Sequence, residues 1–402
     1  MAKVRRALVV GGSMSGLLAA LALARRGWQV EVFERVSEPL AGRGAGIVAQ
    51  PELKAALRAL GLDPDHDLGI EVATRVMFAR DGSVTHRVPV AQTMTAWDRV
   101  FFLLKAAFPD THYHRGKELR RVEQGETVVA YFADGSVAEG DVLVGADGIR
   151  STVRQQYLPA VAPLYAGYTA WRGLIAEAAF PPTLHHALFT DFSFCLPDNE
   201  QMLGYPVAGP DNDLRPGHRR YNFVWYRPAS EARELPWLLT DDSGRTHALS
   251  IPPPLIAREV VAAMRQAATD VLAPQFRDMI ALCDLPFLQP IYDIEVPRMA
   301  FGRVAILGDA AFVARPHVGA GVAKAAEDAL ALADALDTDA GVGAALKRFE
   351  SMRIGAGERI IARARHLGAY VQADLKSEEE RTYAERHRTP EAVLAETAMM
   401  DF

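Results

Sequence analysis

The carboxylate of Asp309 is the side chain whose position in the sequence first suggests chemistry. An apolar run at residues 304–307 ends in Gly308-Asp309, and a loop with one proline and two glycines then leads into an alanine-rich helix. Such a strand end sets a carboxylate beside the free N–H groups of a helix start, which suits a chain of hydroxyl groups next to a polar ring. An ordinary strand–loop–helix connection has the same pattern, so Asp309 does not decide the function by itself.

A glycine-rich turn near the start of the chain carries the second group of candidate residues. Gly11-Gly-Ser-Met-Ser-Gly16 follows an apolar strand pattern at residues 5–10 and precedes a helix predicted from about Ser15 to Arg26. A second strand is predicted at residues 29–33. This strand–turn–helix–strand order is that of a dinucleotide-binding βαβ unit, in which the turn approaches a pyrophosphate.

Glu34 stands 18 residues beyond Gly16, where such units have an acidic residue that binds a ribose hydroxyl. Ser13 replaces the middle glycine of the usual G-x-G-x-x-G pattern, but it is small enough to let the backbone approach a phosphate. A purely structural glycine turn is the alternative. The spacing between two predicted strands favours nucleotide binding.

Two further glycine-bearing segments have the same character. Asp147-Gly148 ends a short apolar strand, and ligands of open α/β sheets bind at that edge of the sheet. Residues 42–50 form a second glycine-rich loop, whose backbone can lie flush against a flat ligand. Because the chain has one dinucleotide fingerprint and a distant Gly308-Asp309 strand end, a long extended cofactor is expected, and FAD fits better than NAD.

The elements that must position these residues predict an α/β fold with a β-rich insertion. Between about residues 160 and 295 the helical pattern gives way to short strands broken by Gly, Pro and Asp-Asn turns, which is typical of an antiparallel sheet. The tail from about residue 340 is predicted to be helical, with its last ten residues frayed. The predicted division is 1–70, 96–160 and 296–340 for FAD binding, 71–95 and 161–295 for the substrate domain, and 341–402 for C-terminal helices.

Composition excludes several other classes of protein. The chain has 402 residues, 50% of them hydrophobic and 23% charged, and a net charge of −6, which argues against nucleic acid as a partner. Its two cysteines are too few for a disulfide framework, and no histidine spacing suits a metal. The apolar run after the basic N-terminus is interrupted by glycines and continues into the βαβ pattern, so we expect no signal peptide, no membrane span and a cytoplasmic protein.

Taken together, the motifs resemble those of the class A flavoprotein aromatic hydroxylases over nearly the whole chain. Within that family the resemblance is greatest to the 2,6-dihydroxypyridine 3-hydroxylase group. The segments that carry this closer resemblance are Gly11–Gly16, Gly46–Glu52, Gly167–Gly173, Gly204–Val207, Trp225–Arg227, and Glu295–Gly302 through Ala323-Lys-Ala325. The family usually has an Asn-type residue after its Gly-x-Gly, where this chain reads Gly319-Ala-Gly-Val-Ala323, so backbone rather than side-chain contacts to the flavin are expected there.

The resemblance implies a fold: an FAD-binding Rossmann-like domain of the GR2 type with an inserted β-rich substrate domain and C-terminal helices. It also implies that NADH or NADPH reduces non-covalently bound FAD and that a flavin C4a-hydroperoxide, formed with O₂, hydroxylates an electron-rich, 2,6-dihydroxypyridine-like ring. A homodimer and no metal are expected. A flavin-dependent reductase or dehydrogenase, or a flavin-binding module without turnover, remain as alternatives.

The expected site residues follow from these motifs. His317, between Pro316 and the loop glycines, is the leading candidate for the base that activates the substrate, with a structural loop histidine as the alternative and Tyr205 as the second candidate. Arg99 is expected to reach a phosphate, with a solvated surface arginine as the alternative. The expected cofactor-binding residues are Gly11, Gly12, Ser13, Met14, Ser15, Gly16, Glu34, Arg35, Gly46, Ile47, Val48, Arg99, Asp147, Gly148, Gly308, Asp309, Pro316, Gly319, Ala320, Gly321, Val322 and Ala323.

Overall fold

The computed structural model of the protein describes residues 5–40, 46–338 and 341–400. In these ranges the strands are β1 Arg6–Val10, β2 Gln29–Phe33, β3 Gly46–Val48, β4 Ile70–Phe78, β5 Val84–Ala96, β6 Tyr113–His114, β7 Leu119–Gln124, β8 Val128–Phe132, β9 Val137–Gly140, β10 Val142–Gly145, β11 Leu164–Ala176, β12 Phe192–Cys195, β13 Gln201–Val207, β14 Arg220–Pro228, β15 Phe287–Asp293, β16 Ala300–Phe301 and β17 Val304–Ile306. The α-helices are α1 Met14–Arg25, α2 Pro51–Ala59, α3 Trp97–Ala107, α4 Thr152–Tyr157, α5 Pro182–Leu188, α6 Glu234–Leu238, α7 Arg258–Val271, α8 Pro274–Ala281, α9 Gly321–Leu336, α10 Val342–Leu367, α11 Glu378–His387 and α12 Pro390–Glu396.

The first sheet has the order β16-β17-β10-β1-β2-β6 and is parallel except for β16. Its central strands are continuous apolar runs, as strands buried on both faces must be. Val10 pairs with both Phe33 and Gly145, and Gly145 pairs with Ile306. The residues that follow these strand ends, including Gly11 and Asp309, therefore lie along one edge of the sheet.

Helices α1 and α9 pack against each other beside this sheet. Both are rich in alanine, whose small side chain lets the helices approach closely, and most of their residues are buried. Helix α1 begins one residue earlier than predicted and ends at Arg25, with Gly27 just beyond it at φ +79°. The predicted α/β fold with a βαβ start is confirmed.

The second sheet has the order β15-β11-β14-β13-β12-β4-β5-β3 and is antiparallel except for the pair of β12 with β4. Most of its strands come from the predicted β-rich region, and β4 and β5 form the hairpin predicted at Asp81-Gly82. Strand β3, from the segment assigned above to FAD binding, joins this sheet through β5. The division into six ranges stays a prediction. A third, three-stranded sheet contains β7, β8 and β9.

Residues 390–398 pack against the second sheet, which corrects the expectation that the last ten residues fray; residues 401–402 lie outside the described residues. Val393 and Leu394 of α12 are buried in the same apolar cluster as residues of β13 and β14. Beyond α12, Thr397 and Ala398 are also buried. Among the described residues no helix is both long and apolar enough to cross a membrane.

Candidate active site

The turn after β1 is packed so closely that glycine is required at two positions. Gly11 has φ +106°, and a Cβ built on it would lie 2.3 Å from the carbonyl oxygen of Ala146. A Cβ on Gly16 would lie 1.8 Å from the carbonyl oxygen of Gly11. These contacts bring the turn, the start of α1 and the end of β10 together, so the glycines predicted to bind a cofactor are also needed to form the site.

Helix α1 begins directly after this turn, and its N-cap side chain makes no capping bond. Ser13 is the N-cap residue, but its hydroxyl accepts no hydrogen bond from the helix. Ser13, Met14 and Ser15 line a cavity. Uncapped N–H groups at a helix N-terminus attract anions, so this wall has the electrostatics that a pyrophosphate needs.

Glu34 is buried at the end of β2, and both of its carboxylate oxygens accept hydrogen bonds from backbone. One oxygen accepts from the N–H of Gly12 at 2.8 Å, and the other accepts from the N–H of Val36 at 2.9 Å. The hydroxyl of Tyr113 fixes the same turn by donating to the carbonyl of Gly12 at 2.8 Å. The carboxylate is thus held rigidly beside the turn while each oxygen keeps lone pairs for a ligand hydroxyl.

Asp147 holds the start of α4. It accepts hydrogen bonds from the Ser151 hydroxyl and, at 3.2 Å, from the N–H of Val153. Burial raises the pKa of the Asp147 carboxyl above its usual range. Gly148 follows at φ +74°. Asp147 and Gly148 share a cavity wall with Glu34, so the sequence placed them correctly at the sheet edge.

Three neighbouring cavities run along this edge and meet at Asp309. The turn cavity, of about 510 Å³, is lined by Gly11, Ser13, Glu34, Arg35, Asp147, Gly148 and Asp309, among others. The central cavity, of about 530 Å³, is lined among others by Ser13, Met14, Ser15, Gly46, Ile47, Trp97, Arg172, Asp309, Gly321 and Val322. The sheet cavity, of about 250 Å³, is lined among others by Gly46, Ile47, Val48, Arg172, Tyr205, Tyr226, Gln289, Asp309, Pro316, Gly319, Ala320, Gly321, Val322 and Thr397.

Other residues hold the loop of Asp309 in place, so the Asp309 carboxylate is not needed to fix the loop and remains available to a ligand. Gly308 has φ +60°, its carbonyl accepts a hydrogen bond from Lys324 Nζ at 2.9 Å, and its N–H donates to Asp328 at 3.2 Å. The Asp309 carboxylate itself has no hydrogen-bond partner within the described ranges. It is open to the cavities, yet the protein around them desolvates it and raises its pKa, an effect that the charge of Lys324 opposes.

The wall of the sheet cavity contributed by the second sheet is polar and aromatic. Arg172 donates from Nη1 to Gln289 Oε1 at 2.9 Å, whereas its buried Nε has no partner in the described structure. Tyr205 and Tyr226 are buried, and burial raises the pKa of Tyr205 to about 12. The wall therefore offers one cation and two protonated phenol groups to a small ring.

His317 does not lie where the sequence predicted it. It was expected to overhang the cavity next to the flavin, but it is absent from the cavity wall, and its side chain is 2% exposed. Its Nδ1 lies 2.8 Å from Gln201 Oε1, and its Nε2 lies 3.1 Å from the Tyr168 hydroxyl. Burial and the charge of Arg315 lower the pKa of His317 to about 3, which makes it a weak base.

Arg99 also lies elsewhere than predicted. Its Nε donates to the carbonyl of Asp67 at 3.0 Å, and it lines none of the three cavities. Trp97, the first residue of α3, lines the turn and central cavities instead. Of the glycine-rich loop at residues 42–50, residues 42–45 lie outside the described residues, and residues 46–48 line the central or sheet cavity as expected.

The loop before α9 meets the C-terminal segment. Gly319 has φ +62°, and a Cβ on it would lie 2.8 Å from the Cβ of Ala398. Gly321, the first residue of α9, has open space around its Cα. Ala323, predicted to bind the cofactor, is buried inside α9 and lines none of the three cavities. The loop therefore lines the cavities at residues 313–316 and again at residues 319–322.

Sequence reasoning missed Arg172, Tyr226 and Thr397. Strand register could have found two of them: Arg172 pairs with Val224 on β14, and Leu203 on β13 also pairs with Val224. With a period of two, Arg172, Tyr205 and Tyr226 then share one face of the sheet. Nothing in the local pattern signals Thr397, because its position depends on how the tail docks.

Comparison with known proteins agrees with this geometry. A family described as FAD binding domain matches residues 5–226, and one described as FAD binding domain-like matches residues 165–293. The chain is 33% identical to 2,6-dihydroxypyridine 3-monooxygenase of Paenarthrobacter nicotinovorans, covering 91% of each chain. The chain belongs to the class A flavoprotein hydroxylases. It is also 29% identical to 6-hydroxynicotinate 3-monooxygenase of Pseudomonas fluorescens, covering 84% of this chain and 83% of that one.

A solved structure supports the same family. The structure of 2,6-dihydroxypyridine-3-hydroxylase from Arthrobacter nicotinovorans has a TM-score of 0.86 and 31% identity, covering 94% of this chain and 96% of that one. This chain is accordingly an FAD-dependent monooxygenase that uses NAD(P)H, O₂ and a small aromatic substrate. The predicted family, cofactor and reaction type are confirmed, in preference to a reductase or a module without turnover.

The residues present fit FAD. The glycine turn that excludes any Cβ, the uncapped N-terminus of α1 and the unpaired carboxylate of Asp309 lie along one continuous edge. That order matches a pyrophosphate followed by a polyhydroxyl chain. Within the described residues, no group of three or more His, Cys, Asp or Glu side chains is arranged to hold a metal ion.

Proposed function

We propose that this hydroxylase acts on 2,6-dihydroxypyridine or a closely related hydroxylated N-heteroaromatic ring. The observation that carries the proposal is the sheet cavity, a space of about 250 Å³ whose walls contain two arginines, Arg172 and Arg315, together with the Asp309 carboxylate, two phenols and an amide. Its size suits a single ring, and its polar groups suit ring hydroxyls and a ring nitrogen. The name of the 33% identical relative supports the same substrate class.

In this proposal FAD extends from the turn cavity to the sheet cavity and supplies the electron storage and oxygen activation for the reaction. The turn at Gly11–Gly16 and the start of α1 bind the pyrophosphate, Glu34 and Arg35 lie towards the adenosine, and Asp309 binds the ribityl chain. The backbone at Gly46–Val48 and Gly319–Val322 lies against the flavin ring. These assignments are supported by the cavity walls, on which all of these residues lie except Gly12 and Gly16.

Arg172 is proposed to bind an ionised oxygen of the substrate. Its guanidinium is anchored on Gln289 Oε1 and on the carbonyl of Gly46, and these two acceptors use only two of its five N–H donors within the described residues. A nearby cation favours the anionic form of a ring hydroxyl, and the anionic ring is the better nucleophile. Arg172 thus lowers the pKa of the bound hydroxyl, whose proton is released to water, so that the side-chain base first considered at His317 is not required.

Tyr205 is proposed to donate a hydrogen bond to the substrate rather than to accept its proton. With a pKa raised to about 12 by burial, it stays protonated near neutral pH. The apolar walls formed by Phe192, Leu203 and Val224 exclude water from the ring. Together these residues hold an anionic ring in a dry site.

Oxygen uptake tests the proposal. NADH-driven O₂ consumption should be stimulated by 2,6-dihydroxypyridine, and ¹⁸O₂ should label a product that is one oxygen heavier. Replacing Arg172→Gln should lower kcat/KM by about 10- to 100-fold, since a hydrogen bond to a charged group contributes about 1.5–3 kcal/mol. The matched control is Arg120→Gln, a surface arginine paired with Glu118, which should leave kcat/KM unchanged.

The substrate proposal fails if 2,6-dihydroxypyridine yields no labelled product in the wild type. The role of Arg172 fails if its Gln variant, with full FAD content, turns over as the wild type does. We also propose a cytoplasmic location and a homodimer; light scattering of the purified protein measures the second.

A further inference from the structure

Thr397 brings a single hydroxyl from the C-terminal segment to the sheet cavity. It lines the cavity wall, is 6% exposed, and accepts a hydrogen bond from Gln201 Nε2 at 3.2 Å. Gln201 is itself fully buried and is bonded to His317. The direction of donation along this buried series of hydrogen bonds decides whether the Thr397 hydroxyl donates to a ligand or accepts from it.

This chain of hydrogen bonds begins at the hydroxyl of Tyr168, a residue that is fully buried. Burial raises the pKa of Tyr168 well above its usual range, so the phenol keeps its proton. Within the described residues the hydroxyl of Tyr168 has one hydrogen-bond partner, His317 Nε2 at 3.1 Å. A buried donor without an acceptor is costly, so Tyr168 donates and His317 Nε2 accepts.

The proton of the neutral His317 ring must then be on Nδ1. With its pKa lowered to about 3 by burial and by the charge of Arg315, the ring carries one proton at neutral pH. Nδ1–H therefore donates to Gln201 Oε1, 2.8 Å away. The amide nitrogen of Gln201 consequently faces Thr397 and can only donate to it.

One lone pair of the Thr397 oxygen is thus used by Gln201, and the Thr397 O–H proton has no acceptor within the described part of the chain, so the hydroxyl is free to donate. We infer that Thr397 is a directed hydrogen-bond donor to the substrate, set by the buried chain Tyr168–His317–Gln201, and that it selects rings with an acceptor oxygen or nitrogen. This inference deepens the proposed function and relies on it for the identity of the ring. Thr397 contacts the substrate, and the other three are positioning residues.

The backbone on the far side of Thr397 fixes its location. The N–H of Ala398 donates to the carbonyl of His317 at 2.7 Å, and the carbonyl of Ala398 accepts from Gln50 Nε2 at 2.8 Å. Ala398 has φ +53°, a conformation that non-glycine residues adopt rarely and that these bonds hold in place. The Thr397 hydroxyl is therefore held rigidly at the cavity.

Ligand binding gives the first test, measured as the change in flavin absorbance when anaerobic FAD-loaded enzyme is titrated with 2,6-dihydroxypyridine. Thr397→Val keeps the shape but removes the hydroxyl, and should raise Kd about 10-fold. Thr397→Ser restores the hydroxyl and should return Kd to within about twofold of the wild type. Equal Kd values for the Val variant and the wild type would overturn the inference.

The tautomer of His317 gives a second test that needs no substrate. Nitrogen-15 NMR of histidine-labelled FAD-loaded protein should show a neutral ring protonated on Nδ1 that does not titrate between pH 6 and 8. The signal is assigned by its loss in His317→Asn. A ring protonated on Nε2 would reverse the chain, turn the Thr397 proton towards Gln201, and overturn the inference.

The two proposals fail differently. If the wild type binds 2,6-dihydroxypyridine without forming a hydroxylated product, the proposed reaction fails while the Kd comparison still decides the role of Thr397. If the wild type does not bind this ring at all, the proposed substrate fails and the His317 tautomer decides the inference.

Discussion

Replacing Gly319 by alanine should destabilise the protein through the C-terminal segment. Gly319 has φ +62°, a conformation that costs alanine about 1 kcal/mol. The new Cβ would lie 2.8 Å from the Cβ and 2.9 Å from the Cα of Ala398, closer than carbon atoms approach. Such overpacking costs about 1–3 kcal/mol, so the free energy of unfolding should fall by about 2–4 kcal/mol.

Urea unfolding of the FAD-free protein, followed by circular dichroism, measures this change. The matched control is Gly321→Ala two residues later, where a Cβ meets nothing within 4 Å. That control should unfold within about 0.5 kcal/mol of the wild type, yet it should weaken FAD binding because its Cβ enters the space assigned to the flavin ring. The pair separates packing of the loop from contact with the cofactor.

A Gly319→Ala variant that unfolds at the wild-type urea concentration would contradict this prediction. In that case the contact between the loop and Ala398 does not contribute to stability. If Gly321→Ala binds FAD as the wild type does, the flavin ring does not lie against the start of α9.

Four further outcomes follow from the structure. Glu34→Ala should weaken FAD binding about 10- to 100-fold in a fluorescence titration, because the carboxylate holds the Gly12 N–H as well as facing the cavity, and unchanged binding would place the adenosine elsewhere. Because the folded pKa of His317, about 3, lies below the unfolded value of about 6.5, the unfolded state binds more protons between these values; the free energy of unfolding should fall as pH falls from 6.5, and less steeply in His317→Gln. The thiols of Cys195 and Cys283 are buried and their pKa values are raised by burial, so a disulfide reagent at pH 8 should label neither until urea is added. Dialysis against a strong chelator should leave NADH oxidation intact, and a loss reversed by a divalent cation would contradict a metal-free site.

The parts of the site that could be predicted are those fixed by short stretches of chain. The turn at Gly11–Gly16 and the acid at Glu34 lie within one βαβ unit, whose spacing is set by helix and strand geometry. Gly308 and Asp309 follow a strand whose apolar run marks it as buried. Because carboxyl ends of parallel strands share an edge, their convergence also followed from the pattern.

The parts that could not be predicted depend on contacts between distant segments. His317 was placed by its neighbours in the loop, but its orientation is decided by Gln201 and Tyr168, which lie 116 and 149 residues away in sequence. Arg99 lies near the start of its helix as expected, yet it is Trp97 that the helix turns towards the cavities. The last ten residues were expected to fray as chain termini often do, whereas apolar residues of α12 dock on the second sheet.

The order of strands in the first sheet has a consequence for how the nascent chain matures. Strand β1 pairs with β2, which follows it closely, but its other neighbour is β10, which pairs in turn with β17, so this half of the sheet is synthesised long after β1. Until residue 306 has emerged, the sheet lacks β17 and has an unpaired apolar edge, the kind of surface on which incomplete chains aggregate. FAD in the position proposed above would contact both residues 11–16 and Asp309, would join the earliest and latest parts of that sheet, and would be bound by the finished fold alone. By mass action, the supply of FAD during expression should therefore set how much of the chain is recovered as folded enzyme.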